Sequence, residues 1–193
     1  SGTSACGNLL SNAGLNLGND LIQPHIANRK GYFEDMPAVQ MHESWLNENN
    51  TSWQYCGESN LNLSEEHNAS LKDYVSKRDT IGTAWGIKDP RLSLFLPAFQ
   101  KQLGGRARFL FIIRPWQSCI ESLHHRHSRE IALLTNRSKG ALNDRFWHKP
   151  NLAVKMWLAY NSRILSFIKS NPKQCLLVTQ KALFNGAPVL SSL

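Results

Sequence analysis

Cysteine is scarce in this chain. It occurs four times in 193 residues, at positions 6, 56, 119 and 175, with no CxxC pair. That spacing excludes a disulfide framework and a local zinc site, and the thiols read as small, buried or half-buried groups suited to a reducing compartment. Long apolar runs are missing as well. The longest, Phe109 to Ile113, falls far below the roughly 20 residues that cross a bilayer, which excludes a transmembrane helix. No signal peptide is recognisable, and a cytoplasmic location is expected. Sequons beginning at Asn49, Asn50, Asn62, Asn68 and Asn136 point the other way, toward a secretory origin, but the richness in Asn inflates such matches. The pattern GxxxxGK[ST] is also absent, so the lysine and the magnesium-binding hydroxyl of a kinase-type phosphate loop are not supplied. No internal repeat or long low-complexity tract replaces them.

Positive charge, by contrast, is in excess. Lys and Arg number 22 against 14 acidic residues, giving a net charge of +8. Such a balance favours an anionic partner, although nucleic acid, a membrane surface and a phosphate-bearing cofactor would exploit it equally. With 41% hydrophobic and 19% charged residues the chain can bury one ordinary core, and a single domain over 1–193 is expected.

Along the chain, Ser1-Gly2-Thr3-Ser4 leads into Cys6, Leu9, Leu10 and Ala13 at helical spacing, with Gly14 as the stop. Helical periodicity resumes over Met36 to Leu46, after Gly31-Tyr32-Phe33-Glu34-Asp35. Residues 47–70, rich in Asn, Ser and Glu, read as an exposed insertion or lid anchored by Trp53 and Tyr55, with a helical segment following around Leu71 to Lys77. Trp85 to Lys88 suggests a short strand. Leu92, Phe95, Leu96 and Phe99 mark an amphipathic helix over 92–103, which Gly104-Gly105 ends. Arg108 to Ile113 is an almost continuous apolar run of the kind that forms a strand covered on both faces in a parallel sheet. Helices over 116–129 and 152–168 and a strand over 175–179 complete the pattern. This alternation predicts an α/β layer fold with ligands beyond the carboxyl ends of the strands.

The candidate chemistry falls at those ends. Ser1, Gly2, Thr3 and Ser4 combine close backbone approach, hydroxyl donors and a helix N-terminus, a cradle for a phosphate or an ordinary helix cap. Arg114 ends the apolar strand, and Ser118 and Ser122 lie one turn apart on the next helix. Together they suit a dianion; otherwise Arg114 is a surface residue pairing with Glu121 or a carbonyl. His124, His125 and His127 point to different helical faces and read as surface solvation, not as a metal site.

SGTS opening a helix, then KDPR, then RPWQSCIES together resemble the sulfotransferase family that uses 3'-phosphoadenosine 5'-phosphosulfate (PAPS). The segment with Trp157, Tyr160 and Asn161 and the strand CLLVT are also similar to that family, including its bacterial, carbohydrate and tyrosyl-protein branches. The resemblance implies a three-layer, P-loop-NTPase-like fold with a central parallel sheet flanked by helices. It implies that Ser1, Gly2, Thr3 and Ser4 hold the 5'-phosphosulfate and that Arg114 and Ser122 hold the 3'-phosphate. Glu34 in GYFED matches the catalytic glutamate, with Asp35 as the alternative base. Lys88 matches a lysine near the transferring group, with Arg91 just beyond and Asp89 orienting one of the two rather than acting as the base; the competing view makes KDPR only a strand-ending ion pair. The histidine that the cytosolic branch carries near this position is absent.

The chain departs from the family pattern in having no basic residue and strand before SGTS, and no glycine- and lysine-rich loop that closes over the 3'-phosphoadenosine. The implied reaction is in-line transfer of a sulfuryl group to a hydroxyl, less readily an amine, on a small-molecule, carbohydrate or peptide acceptor. The product is adenosine 3',5'-bisphosphate (PAP). A sulfuryl group carries less charge than a phosphoryl group, so no metal is required. Nucleic acid is not an expected partner. A nucleotide kinase or other phosphotransferase and a non-catalytic polyanion-binding module are the competing readings.

Overall fold

The apolar run after Gly104-Gly105 forms a strand. The computed structural model describes residues 2–24, 31–133 and 145–189. In it β1, Phe109–Ile113, pairs in parallel with β2, Cys175–Thr179, in a register running from Phe109↔Cys175 to Ile113↔Thr179. Around them stand α1 (Thr3–Asn12), α2 (Met36–Glu48), α3 (Glu65–Asp79), α4 (Leu96–Leu103), α5 (Trp116–Leu133), α6 (Leu152–Ser170) and α7 (Gln180–Phe184). Parallel strands require a long crossover, and α5 and α6, packed on each other, supply it. Among the described residues the architecture is α/β, a two-stranded parallel sheet with helices about it. None of those helices is long and apolar enough to cross a membrane.

Two expected elements differ. Trp85–Lys88 is not a strand of this sheet: it makes one parallel bridge, Asn16↔Trp85, and the Gly86 N–H donates to the Asn16 carbonyl at 2.9 Å. Its neighbour is a loop too short to continue a ladder. The helix expected over 92–103 is divided into a 3₁₀ turn, Pro90–Leu94, and α4. Pro97 is the cause. It has no N–H, and its ring would clash with the carbonyl four residues back in a continuous helix, so it sits in the first turn of a new one. The buried face survives the break, with Leu94, Phe95, Leu96 and Phe99 all in the core.

The segment over 47–70 forms a strap whose residues 53–59 lie against α6. The Tyr160 hydroxyl donates to the Trp53 carbonyl at 2.7 Å. The Arg163 guanidinium covers the Tyr55 ring at 4.9 Å and donates to the carbonyls of Gly57 and Ser59. Helix α3 begins earlier than the apolar spacing suggested. Ser64 caps it by accepting from the His67 N–H, and Glu65 and Glu66 in the first turn suit the helix dipole.

The main core joins α2, α3, α4, β1 and α6 through Trp45, Leu46, Leu71, Phe95, Phe99, Phe109 and Phe167. Trp45 meets Phe95 edge-on at 4.9 Å, and Phe109 meets Phe167 at 4.7 Å. Cys6 is buried as expected, whereas Cys56 is exposed, because its stretch of the strap faces outward; all four thiols are free. Phe99→Ala should lower stability by about 3–5 kcal/mol. The check is urea unfolding, with the midpoint falling at an unchanged slope.

Candidate functional site

The site begins in an extended stretch. Ile22 N–H donates to the Glu34 carbonyl at 2.8 Å, Met36 N–H to the Asp20 carbonyl at 2.7 Å, and Leu21 bridges Asp35 antiparallel. Successive side chains of extended backbone point to opposite sides, so Glu34 and Asp35 part company. Glu34 lines a cleft of about 1650 Å³. Asp35 is buried on the other side, where it accepts from the Tyr74 hydroxyl at 2.9 Å. Burial, then the charge of Asp35 and this bond, push the Tyr74 phenol upward. Gly18, at φ +135°, makes room for Asp35: a Cβ there would stand 2.1 Å from the Asp35 Oδ1. Asp35 therefore serves the fold, which removes it as an alternative base.

The residue before Glu34 is strained. Phe33 has φ +57°, a left-handed conformation that costs a non-glycine residue on the order of 1 kcal/mol. It packs against Gly7 of α1, where a Cβ would come within 3.0 Å of the Phe33 Cβ and 3.6 Å of the Lys88 Cγ. Helix α1, the Glu34 segment and Lys88 thus converge on one small residue.

Glu34 itself is only 7% exposed, not the solvated carboxylate that a loop position would suggest. Lys88 Nζ donates to its Oε1 at 2.6 Å and lies 3.4 Å from the Ser4 Oγ, while Arg91 Nη2 donates to its Oε2 at 3.3 Å. Each carboxylate oxygen has two lone pairs, so one on each remains for a group in the cleft. Arg91 is held in turn. Its Nε donates to both oxygens of Asp89 at 3.0 Å, and its Nη1 to Glu43 at 2.6 Å. Burial opposes the guanidinium's charge, but Asp89, Glu34 and Glu43 outweigh it and keep the group protonated. Asp89 thus orients Arg91, as KDPR suggested, and also accepts from its backbone N–H at 2.9 Å to cap the 3₁₀ turn.

The carboxylate of Asp89 has a second support. His42 Nδ1–H donates to its Oδ2 at 2.7 Å, with the imidazole wholly buried. Burial pushes the Asp89 carboxyl up, but the His42 and Arg91 interactions prevail and hold it at about 2. His42 and Glu43 were missed in the sequence. The available signal was a polar residue at 42 in line with Ala38, Val39, Trp45 and Leu46, all buried on one face of α2.

Four of the residues matched to the two phosphates share this cleft, and Gly2 does not line it. Thr3 and Ser4 line it at the start of α1, and Arg114 and Ser122 line it from the end of β1 and from α5. Gly2 takes φ +91° at the N-cap of α1, a left-handed conformation that glycine adopts without strain. Ser1 lies outside the described residues. No described acidic side chain, Glu121 included, pairs with Arg114. Ser118 does not line the cleft, whereas Arg126, one turn beyond Ser122, does.

The histidines of α5 depart from the expectation of surface solvation. His127 is buried, stacked between Trp53 at 5.2 Å and Phe146 at 4.9 Å, and His124 meets Phe146 and Trp147 edge-on. Only His125 is exposed. Packing of the strap and of residues 145–148 against this helix covers the other two. Among the described residues no three His, Cys, Asp or Glu side chains are grouped to hold a metal ion.

Comparison with family models, curated proteins and solved structures gives no match to this chain.

Because the Asp89 carboxyl is depressed in the folded protein, its contribution to stability is complete above the ordinary Asp value near 4. It is lost as pH falls through about 2. Melting temperatures of the parent and Asp89→Asn should differ at pH 6 by the equivalent of on the order of 2 kcal/mol and converge toward pH 2.

Proposed function

We propose that this chain is a PAPS-dependent sulfotransferase with a three-layer, P-loop-like architecture, acting in the cytoplasm on a hydroxyl-bearing small molecule, carbohydrate or peptide. The observation that carries the reading is one continuous cleft reached by Thr3 and Ser4, by Arg114 and Ser122, and by Glu34 and Lys88. A nucleotide bearing phosphate at both ends needs two separated anion sites on one cavity, and the residues that the sequence resemblance assigns to them reach it from different elements. The cleft exceeds the roughly 300–1,000 Å³ of an ordinary small-ligand pocket, which leaves space for a donor and an acceptor together.

The donor supplies an activated sulfuryl group, and the chain's residues do the rest. Thr3, Ser4 and the first-turn amides of α1 receive the 5' end. Arg114 gives planar, charge-assisted hydrogen bonds to the 3'-phosphate, with the Ser122 hydroxyl beside it. Lys88, between Ser4 and Glu34, offers positive charge where negative charge grows on the transferring group. The acceptor hydroxyl gives its proton to a free lone pair of Glu34 as its oxygen bonds to sulfur. The bond from sulfur to the donor's bridging oxygen breaks, and PAP leaves.

Titration with PAP should give saturable binding that Arg114→Ala weakens about 10- to 100-fold, the worth of a lost charge-assisted contact. Glu34→Gln should retain PAP affinity and lose transfer of labelled sulfate from PAPS across a panel of hydroxyl acceptors. EDTA should leave transfer unchanged; dependence on magnesium with ATP as donor would instead establish a phosphotransferase. Equal PAP affinity in parent and Arg114→Ala would remove the 3'-phosphate site. Salt-sensitive binding of polyanions without PAP binding would establish a non-catalytic module.

A further inference from the structure

We infer that His42 is a positioning residue for Glu34, acting through Asp89 and Arg91. The inference rests on reading Glu34 as the base. Its starting point is an imidazole where an apolar ring would pack better. His42 is fully buried, stacked on Phe95 at 5.8 Å and edge-on to Trp45 and Phe99, and its Nε2 has no hydrogen-bond partner. A buried polar atom without a partner is destabilising, so the ring's one hydrogen bond, Nδ1–H to Asp89 Oδ2, is what distinguishes it from phenylalanine at this position.

That bond acts on a carboxylate whose other hydrogen bonds all come from one residue. The Asp89 oxygens accept from the Arg91 backbone N–H and from its Nε. The backbone contact holds Oδ1, and His42, on a different element, adds a second support at Oδ2 from outside the turn. A guanidinium is planar and rigid. With Nε held by Asp89 and Nη1 held by Glu43, the position of Nη2 is determined, and Nη2 is the group that meets Glu34 Oε2. His42 and Glu43 both belong to α2, which begins two residues after Glu34, so the same helix carries the segment and the frame that orients it.

The test follows Arg91 and turnover separately. In ¹⁵N-arginine NMR spectra the Arg91 Nε–H, assigned by its loss in Arg91→Lys, should exchange slowly in the parent. In His42→Phe exchange should be at least about ten-fold faster, and in His42→Asn, whose amide N–H can take the place of Nδ1–H, close to the parent rate. With labelled PAPS and water as the acceptor, His42→Phe should lower kcat about ten-fold, leave PAP affinity unchanged, and be rescued in His42→Asn. Parent-like exchange and turnover in a folded His42→Phe would overturn the proposal. So would an Arg91 Nε–H that exchanges in the parent as fast as an exposed arginine, a measurement that stands even where His42→Phe does not fold. Failure of every variant to bind PAP, with the exchange pattern as expected, would overturn the sulfotransferase reading and leave the link from His42 to Arg91 intact.

Discussion

A carboxylate withdrawn from water survives only where positive charge and hydrogen bonds replace its hydration, and Glu34 meets that requirement through Lys88 and Arg91. Meeting it draws four parts of the chain together. The stretch over 31–35 brings the carboxylate, the KDPR turn brings both cations, α2 brings the groups that restrain Arg91, and α1 approaches closely enough for Ser4 to lie near Lys88. The core beneath follows from the same need. Phe95 and Phe99, which follow KDPR directly, pack on His42 and Trp45 of α2, so the layer that buries the ions is continuous with the layer that holds the helices in place.

The charges on the cleft fall into two kinds. Lys88 and Arg91 are paired with carboxylates of the protein and hold Glu34 in a defined place, with Lys88 also close to Ser4. Arg114 and Arg126 have no described carboxylate opposite them, so their field is directed into the cleft. A net charge of +8 was compatible with many anionic partners, but two arginines lining one cavity, neither in an ion pair among the described residues, are a more specific arrangement than the total.

Much of the fold was legible from local patterns. Continuous apolar stretches mark both β1 and β2, but the expected cover on both faces is incomplete, since Ile113 and Leu177 are exposed. Local patterns failed where partners decide the outcome. Trp85–Lys88 has strand-like composition, but among the described residues its backbone makes a single bridge, to Asn16. The face 92–99 has helical periodicity, yet Pro97 divides it, a backbone constraint that hydrophobic spacing does not register. In the site, the sequence pattern singled out Glu34 and Lys88, and the structure brings the two side chains together. It preferred Glu34 to Asp35 by resemblance alone, since which of two adjacent carboxylates faces the cleft is set by the extended backbone that Leu21 bridges. His42 was hidden because its partner lies 47 positions away.

Gly7 shows where closeness has been preferred to local strength. An interior helical glycine is less favourable than alanine by roughly 1 kcal/mol, and α1 has one on the side facing Phe33 and Lys88. A single methyl group at that point would press on a residue already in a left-handed conformation, and the displacement would pass along one peptide unit to the neighbouring acid. Helix α1 therefore works as a spacer whose thickness at one position sets the gap between the opening turn and the ion cluster, and the least conspicuous side chain in the region defines its tightest tolerance.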